Sequence, residues 1–412
     1  MTMTRNDYDA IIVGARCAGA PTAMLLARQG HRVLLVDRAS FPSDTLSTHV
    51  VHAPGIAALR RWDVLGHVLA SGCPAVAYYS LDFGPVTIAG TQRAAADGGR
   101  VSYAPRRTVL DKVLVDAAAA AGAEVRERFS VDEVLVEDGT VVGVRGRGEG
   151  GSMVLERAQV VVGADGRNSQ VARAVRPEQY NEKPVLQGGA YTYFSGLPVD
   201  GFEIVIRPDR GFAAVPTNDG LTLVVVGWPA SELTAFKSDV EGNFLKTLEL
   251  APSLAERVRA ATRVERFHVA EVPNFFRKPY GPGWALVGDA GYNRDPITAQ
   301  GICDAFHDAE RCGSALHEVL IGARRFDDAM ASYHRDRDAR VLPVYEFTTQ
   351  LATLEPPPPE MQQLIAAMAG SQDAMDAFVS VVAGTLSPDE FFDPGHLELV
   401  LGAAKAGALE IA

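Results

Sequence analysis

The sequence predicts an α/β (α+β) fold that carries an inserted antiparallel sheet and a helical C-terminal tail. Short continuous apolar runs such as Ala10–Val13 alternate with helical spacing near the amino end, as expected for strands buried on both faces. Between residues 185 and 269 the pattern changes to strands separated by turns, which is typical of an antiparallel sheet. Four prolines at 356–359 then interrupt the chain before the helical tail.

The composition limits the class of protein. A chain of 412 residues is too long for one small domain, and 47% apolar with 22% charged residues is ordinary globular usage. The net charge of -12 disfavours a nucleic-acid partner, because phosphates need a positive surface. Four cysteines show no metal-ligand spacing, so no metal site is predicted and a reducing, cytoplasmic location is favoured. No apolar run approaches the ~18 residues of a membrane span.

A glycine-rich turn follows the first predicted strand. In a Rossmann-type dinucleotide-binding domain the first glycine permits a tight turn, and the third lets the helix pack closely on the strand. Gly14 and Gly19 suit the first and third positions, whereas Arg16 stands in the second. The amino end of the following helix offers free N–H groups to phosphates. The cofactor-binding residues predicted from this turn are Gly14, Ala15, Arg16, Ala18 and Gly19.

A carboxylate at the end of the second strand strengthens the prediction of a dinucleotide site. Asp37 directly follows the apolar strand Arg32–Val36, where a carboxylate can accept hydrogen bonds from ribose hydroxyls. Arg38 adds positive charge beside the expected phosphates. No second glycine motif follows a later buried strand, so the sequence predicts one tightly held dinucleotide. Any second nucleotide would then visit without a Rossmann domain of its own.

Two later strands also end in acidic turns. The apolar run Val160–Val162 leads into Gly163-Ala164-Asp165-Gly166, and the run Trp284–Val287 leads into Gly288-Asp289-Ala290-Gly291. A carboxylate at a strand end can bind sugar hydroxyls, and a helix that begins just beyond it stabilises negative charge on a reduced ring. The extension Asp295-Pro296-Ile297-Thr298-Ala299-Gln300-Gly301 opens such a helix.

Together the three motifs resemble those of group A flavin-dependent monooxygenases, the family with the para-hydroxybenzoate hydroxylase fold, over roughly residues 8–345. The resemblance implies one FAD, reduced by NADH or NADPH. The reduced flavin would react with O2 to a flavin hydroperoxide that hydroxylates or epoxidises an aromatic or polyketide-like small molecule. Arg107 matches the family's arginine that reaches FAD. The FAD contacts that the resemblance adds are Arg107, Asp165, Gly166, Gly288, Asp289, Gln300, Gly301 and Ile302.

Candidate catalytic residues flank these motifs. His49 is a possible base or hydrogen-bond acceptor near a substrate hydroxyl, although a structural loop histidine is the alternative. Tyr292 follows the flavin-contacting turn, and Asp295 and Pro296 open the helix that faces the flavin. The alternative role for Asp295 is a charge favoured by the helix dipole. The predicted substrate pocket, which depends on strand register, is lined by Phe212, Ala214, Val226 and Trp228.

Other activities share the same framework. An FAD-dependent ene-reductase or desaturase of the geranylgeranyl reductase type is compatible with every motif. A halogenase is less favoured, because no Trp-x-Trp-x-Ile-Pro run is present and Lys112 is the one lysine before residue 150. A flavin-fold binding protein without catalysis is disfavoured, because the glycine turn, Asp37 and Asp289 are all intact.

The scattered motifs predict a discontinuous FAD-binding domain of residues 1–75, 100–184 and 270–345. Residues 76–99 and 185–269 are assigned to the antiparallel-sheet substrate domain, and residues 346–412 to the helical C-terminal segment. That segment could cap the pocket or form a dimer face, so both a monomer and a homodimer are left open. The expected partners are a small-molecule substrate and O2.

Overall fold

The computed structural model describes residues 8–399, and its first large sheet is built around parallel strands. Each of these strands comes from a separate part of the chain and pairs side by side with the next. The Cα register runs through Ala10↔Val33, Ala10↔Val160 and Val161↔Trp284. The parallel strands, in sheet order, are Trp284–Leu286, Met153–Gly163, Tyr8–Val13, Val33–Val36 and Glu124–Arg126.

The central strand of this sheet is buried on both faces, which explains its continuous apolar run. Ala10 and Ile12 pack into one core cluster, whereas Ile11 and Val13 pack into another on the opposite face. Alternating side chains of a strand point to opposite faces, so an apolar run is needed when both are covered. Three long helices cover the first face, Gly19–Arg28, Arg107–Ala120 and Gly301–Leu320.

The second large sheet is mainly antiparallel and is the inserted sheet that the sequence predicts. One pair departs from this pattern, because Phe202–Arg207 runs parallel to Tyr79–Asp82. One face packs on the short helices Leu233–Ser238, Val240–Leu248 and Pro252–Ala260. The remaining strands are Thr262–Arg263, His268–Glu271, Gln187–Ser195, Leu221–Pro229, Arg210–Pro216 and Thr87–Gly90.

The C-terminal segment is helical and packs against the other face of the inserted sheet. Its helices share a core cluster with sheet residues such as Tyr79 and Leu223. The predicted class, α/β with an inserted antiparallel sheet and a helical tail, is confirmed. Within residues 8–399 no helix combines the length and apolar character needed to cross a bilayer. The C-terminal helices are Phe326–Leu351, Pro359–Met368, Gln372–Val382 and Pro388–Phe391.

One predicted helix is divided in two. The sequence pattern predicts a helix from Pro54 to Leu69, but the structure has Ala53–Arg61 and Leu65–Ala70. Asp63 between them has a φ of 58°, a left-handed conformation that Asp adopts more readily than most residues. The other elements are the helix Gln170–Val175, the strands Ala75–Val76, Ser102–Tyr103, Ser130–Glu137, Thr140–Arg147, Gln179–Lys183, Asn274–Arg277, Tyr280–Gly281 and Tyr292–Asn293, and the 3-10 turns Asn218–Gly220, Ala230–Glu232, Gly288–Ala290 and Pro296–Thr298.

The tight turn after the first strand requires glycine at residue 14. Gly14 has a φ of +101°, and a Cβ there would overlap the backbone carbonyl of Ala164. We expect Gly14→Ala to lower the free energy of unfolding by roughly 2–4 kcal/mol, as measured by urea denaturation. Gly66→Ala is the control, because Gly66 is exposed in a helix with no atom near its Cβ position. An equal response of the two variants would contradict the backbone argument.

Candidate cofactor and substrate site

A large cavity of about 1490 Å³ is lined by residues from both sheets and from the C-terminal segment. Ligand pockets usually span about 300–1,000 Å³, so this cavity has room for a cofactor and a second molecule. No group of three or more metal-ligating side chains occurs within residues 8–399. The predicted cofactor residues on the cavity wall are Gly14, Arg16, Ala18, Asp37, Arg38, Arg107, Asp165, Gly166, Gly288, Asp289, Gly301 and Ile302.

In the glycine turn the backbone segments lie so close together that a side chain at Gly14 or Gly19 would clash with them. A Cβ on Gly19 would overlap the carbonyl oxygen of Gly14, so the helix approaches the strand as closely as backbones allow. The carboxylate of Asp37 is held by the N–H of Ala15 at 2.7 Å and by the N–H of Ala39 at 2.8 Å. Ala15 and Gly19 are thus structural members of the turn, set behind its wall. The arrangement fits the ribose and diphosphate of a dinucleotide.

A buried carboxylate that the sequence analysis missed organises two of the arginines on the wall. Arg16 donates to Asp111 Oδ2 at 2.5 Å, and Arg107 donates to Asp111 Oδ1 from Nε at 3.1 Å and from Nη2 at 2.9 Å. Asp111 is fully buried. Burial disfavours the charged form of Arg107, but Asp111, Cys17 and Asp289 together raise the pKa of that guanidinium. The available signal was the spacing of Arg107 and Asp111, one helical turn apart.

The two acidic turns present their carboxylates differently. Asp289 is exposed between buried neighbours and lines the cavity, so its carboxylate is open to a ligand. Desolvation raises the pKa of the Asp289 carboxyl, whereas the positive charges of Arg107 and Arg167 lower it. Asp165 Oδ2 accepts from the N–H of Gln170 at 2.6 Å, while its Oδ1 is buried without a hydrogen-bond partner among the described residues. A partner for Oδ1 is therefore expected from a ligand in the cavity.

A second buried carboxylate that the sequence analysis missed holds the turn at Gly288 and Asp289 in place. The N–H of Gly288 donates to Asp308 Oδ2 at 3.0 Å. Asp308 is fully buried on the helix Gly301–Leu320, and burial raises its pKa to about 6, against the lowering effect of Arg340 and Arg337. This bond sets the position of the neighbouring Asp289.

Asp295 is a buried carboxyl on the cavity wall with one free oxygen. It is 1% exposed, and its Oδ1 accepts from Gln187 Nε2 at 2.6 Å and from the N–H of Ile297 at 3.0 Å. Its Oδ2 is buried and has no hydrogen-bond partner within the described chain. Burial raises the pKa of Asp295 to about 7, against the lowering effect of the Gln187 hydrogen bond. This carboxyl, with its raised pKa, lies beside Pro296 on the same wall.

Two predicted site residues lie elsewhere. His49 is fully buried behind the wall, where its Nε2 pairs with the Tyr193 hydroxyl and burial lowers its pKa to about 3. The structure therefore places His49 behind the cavity wall and not on it, and its role as a base stays a prediction. Gln300 turns toward the C-terminal segment, and its Nε2 donates to the carbonyl of Val382 at 2.8 Å. Tyr292 does line the cavity, with its ring stacked on Phe276 at 5.3 Å.

The inserted sheet presents the opposite set of residues from the one predicted. Ala214, Val226 and Trp228 pack into the core beneath the short helices, and Phe212 belongs to the same cluster although it also borders the cavity. A shift of one residue exchanges the two faces of a strand, and the sequence does not reveal which face is which. The sheet residues that line the cavity include Ala213, Val215, Leu223 and Val225.

The C-terminal segment forms the apolar wall opposite the sheet. This placement puts the segment over the cavity, as the capping role predicts. The proline run after the long helix contributes Pro356, Pro357 and Pro358 to the same wall. The apolar residues that the segment adds are Phe347, Leu351, Leu354, Met361, Ile365, Phe378, Val382 and Phe392.

The comparisons with known proteins agree with this geometry. Residues 7–348 match the family described as FAD binding domain. The chain therefore belongs to this FAD-binding family of group A flavoproteins, whose members are FAD-dependent oxidoreductases.

Particular relatives differ in the activity that their names state. Digeranylgeranylglycerophospholipid reductase 1 of Methanopyrus kandleri is 30% identical over 363 residues, which cover 85% of this chain and 91% of the relative. The flavin-dependent brominase Bmp2 superposes with a TM-score of 0.82 at 16% identity over 98% of this chain and 99% of the other. PqsL, a probable FAD-dependent monooxygenase from Pseudomonas aeruginosa, has a TM-score of 0.69 at 21% identity over 90% and 99%. Both structural likenesses concern the fold.

The open carboxylate of Asp289 makes FAD binding testable. We expect Asp289→Asn to weaken FAD binding by roughly 10- to 100-fold, because an ionised acceptor contributes ~1.5–3 kcal/mol. Titration of the apoprotein with FAD, followed by quenching of flavin fluorescence, measures the change. Asp336→Asn is the matched control, because Asp336 is exposed and does not line the cavity. Unchanged affinity in Asp289→Asn would remove this residue from the cofactor site.

The carboxyl of Asp295 predicts a pH dependence of stability. Its pKa is about 7 when folded against an ordinary value of 3.8, so the folded state binds more protons between these values. The free energy of unfolding therefore contains a component that falls as pH rises from about 4 to about 7, by roughly 3–4 kcal/mol. Urea denaturation across this range should show the component in the parent protein and not in Asp295→Asn. Parallel pH profiles of the two proteins would contradict the shifted pKa.

Proposed function

We propose that this flavoprotein is an NAD(P)H-dependent monooxygenase that oxygenates a bulky, largely apolar small molecule. One observation carries the proposal. The cavity wall that bears the cofactor motifs continues into an apolar chamber between the inserted sheet and the C-terminal segment. A substrate in that chamber would lie beside the cofactor and away from bulk water, as oxygen transfer requires.

The residues on the wall fit the parts of FAD. The glycine turn and the paired Arg16 and Arg107 would hold the diphosphate, and Asp37 and Asp289 would accept hydrogen bonds from sugar hydroxyls. The amino end of the helix that begins at Gly301 would stabilise negative charge on the ring. Bound FAD supplies the redox chemistry, taking electrons from NADH or NADPH and activating O2.

The chamber favours a largely apolar substrate, and Asp295 is a titratable carboxyl on its wall. No histidine occurs among the described residues of the cavity wall, since His49 is buried behind it. Side chains such as Phe347, Leu354 and Phe378 exclude water and orient an apolar body by shape. These features support an electron-rich aromatic or polyketide-like substrate.

A reductase is the second candidate, and two observations favour it. The relative from Methanopyrus kandleri is named as a reductase and matches over 91% of its length. Saturation of a carbon–carbon double bond adds a hydride, which reduced FAD would supply, to one carbon and a proton to the other. Asp295, with a pKa of about 7, is a group on the wall that can hold and release that proton.

Turnover under ¹⁸O2 distinguishes the two reactions. The holoenzyme is incubated with NADPH and a panel of neutral aromatic and prenylated alcohols, and the products are analysed by mass spectrometry. We expect one ¹⁸O atom per product molecule, because the transferred oxygen comes from O2. A product that gains two hydrogens and no ¹⁸O would establish the reductase and overturn the monooxygenase. Apoprotein assayed without added FAD is the control, since protein without FAD should form neither product.

A further inference from the structure

A second, small pocket lies beside the helix Gly301–Leu320, apart from the large cavity. Its volume is about 70 Å³, which holds roughly two water molecules. Cys303, His307 and Glu310 succeed one another at one-turn spacing along the helix and form one wall. Another wall includes Arg340, which belongs to the long helix that follows in the chain. The pocket therefore lies between two helices and suits a ligand of a few atoms.

Arg340 brings to this pocket a guanidinium with one unused edge. Its Nη1 donates to Asp304 Oδ1 at 3.1 Å. Its Nε and Nη2 are buried and have no hydrogen-bond partner among the described residues. These two nitrogens share the edge of a guanidinium that binds a carboxylate, or another planar oxyanion, through two parallel hydrogen bonds. Because a buried donor without a partner is unfavourable, the free edge indicates a ligand with two adjacent oxygens.

The two carboxylates on the wall of this pocket are already paired with cations. Asp304 accepts from Arg340 and, through Oδ2, from Arg294 Nη2 at 2.5 Å. Glu310 accepts from Arg61 Nη2 at 2.8 Å through Oε1 and at 2.9 Å through Oε2. Three arginines therefore stand against two carboxylates, and one positive charge is left over beside the pocket. Since like charges repel and opposite charges attract, this balance favours an anion over a cation.

The other titratable groups near Arg340 agree with this balance. Burial, together with the positive charges of Arg340 and Arg311, lowers the pKa of His307 to about 3, so its ring is neutral at pH 7. One further carboxyl, Asp308, attracts Arg340, but it does not line the pocket, and the positive charge of Arg337 also acts on it. Within the described residues, an anion in the pocket therefore meets no unpaired carboxylate.

We propose that this pocket binds a small planar oxyanion of single negative charge, which accepts hydrogen bonds from Nε and Nη2 of Arg340 through two of its oxygens. Formate, bicarbonate and nitrate have this shape and charge. The volume of about 70 Å³ excludes a nucleotide or an aromatic acid. This site goes beyond the proposed function, because it lies outside the apolar chamber and involves no redox step. A bound anion would lie beside Asp304, which borders both the pocket and the large cavity.

Anion titrations of the holoprotein, labelled with ¹⁵N-arginine, test the site by NMR. The Arg340 Nε resonance is identified by its absence in Arg340→Lys, and sodium gluconate, whose anion is too large for the pocket, keeps the ionic strength constant. We expect formate, bicarbonate and nitrate each to shift this resonance to saturation, with Kd values at least about tenfold lower than that of spherical chloride. A resonance that none of the three shifts, or that chloride shifts with equal affinity, would overturn the proposal.

The variant Arg340→Lys separates a two-donor anion site from a general effect of salt. Lysine keeps a positive charge near Asp304 but lacks the planar pair of donors. We expect formate at constant ionic strength to raise the Tm of the parent protein and not that of Arg340→Lys, since a ligand stabilises the state that binds it. Arg335→Lys is the matched control, because Arg335 is exposed on the same helix and does not line the pocket. Equal responses of the parent and Arg340→Lys would contradict the assignment.

Discussion

The buried carboxylate of Asp111 is the contact on which the cofactor side of this molecule depends. It joins Arg16 from the glycine turn to Arg107 at the start of the next long helix, with one oxygen for each. Two guanidinium groups around one carboxylate leave net positive charge on the wall, which suits a diphosphate. Loss of the carboxylate would leave two cations without a buried partner, a change that usually costs about 3–5 kcal/mol. The substitution of Arg16 for the usual glycine is thus compensated from a different helix.

The inserted sheet acts as a partition between a closed core and an open chamber. Val224 and Val226 point to one face of the sheet, where they pack against the short helices. Leu223 and Val225, which alternate with them along the strand, face the cavity. Stability and specificity therefore come from alternate residues of the same strands. The C-terminal segment completes the chamber, and Gln300 ties that segment to the start of the helix facing the cofactor.

Residues that bind a ligand often lower the stability of the empty protein, and the cavity wall contains such residues. Asp165 Oδ1 and Asp295 Oδ2 are buried without partners among residues 8–399. Each of these features is unfavourable for the empty protein and favourable once a ligand fills the space. Because both oxygens belong to residues that line the cavity, a ligand there could supply the missing donors.

The sequence by itself determined the α/β fold and the positions of the cofactor motifs. Gly14, Asp37 and Asp289 follow buried strands directly, so local patterns were sufficient to find them. Only the tertiary structure decided which sheet face lines the chamber, that His49 turns inward, and that Asp111 binds Arg16. The reason is that these facts depend on strand register and on contacts between distant residues. The hydrogen bond between Gln187 and Asp295 spans 108 positions, and no local pattern encodes it.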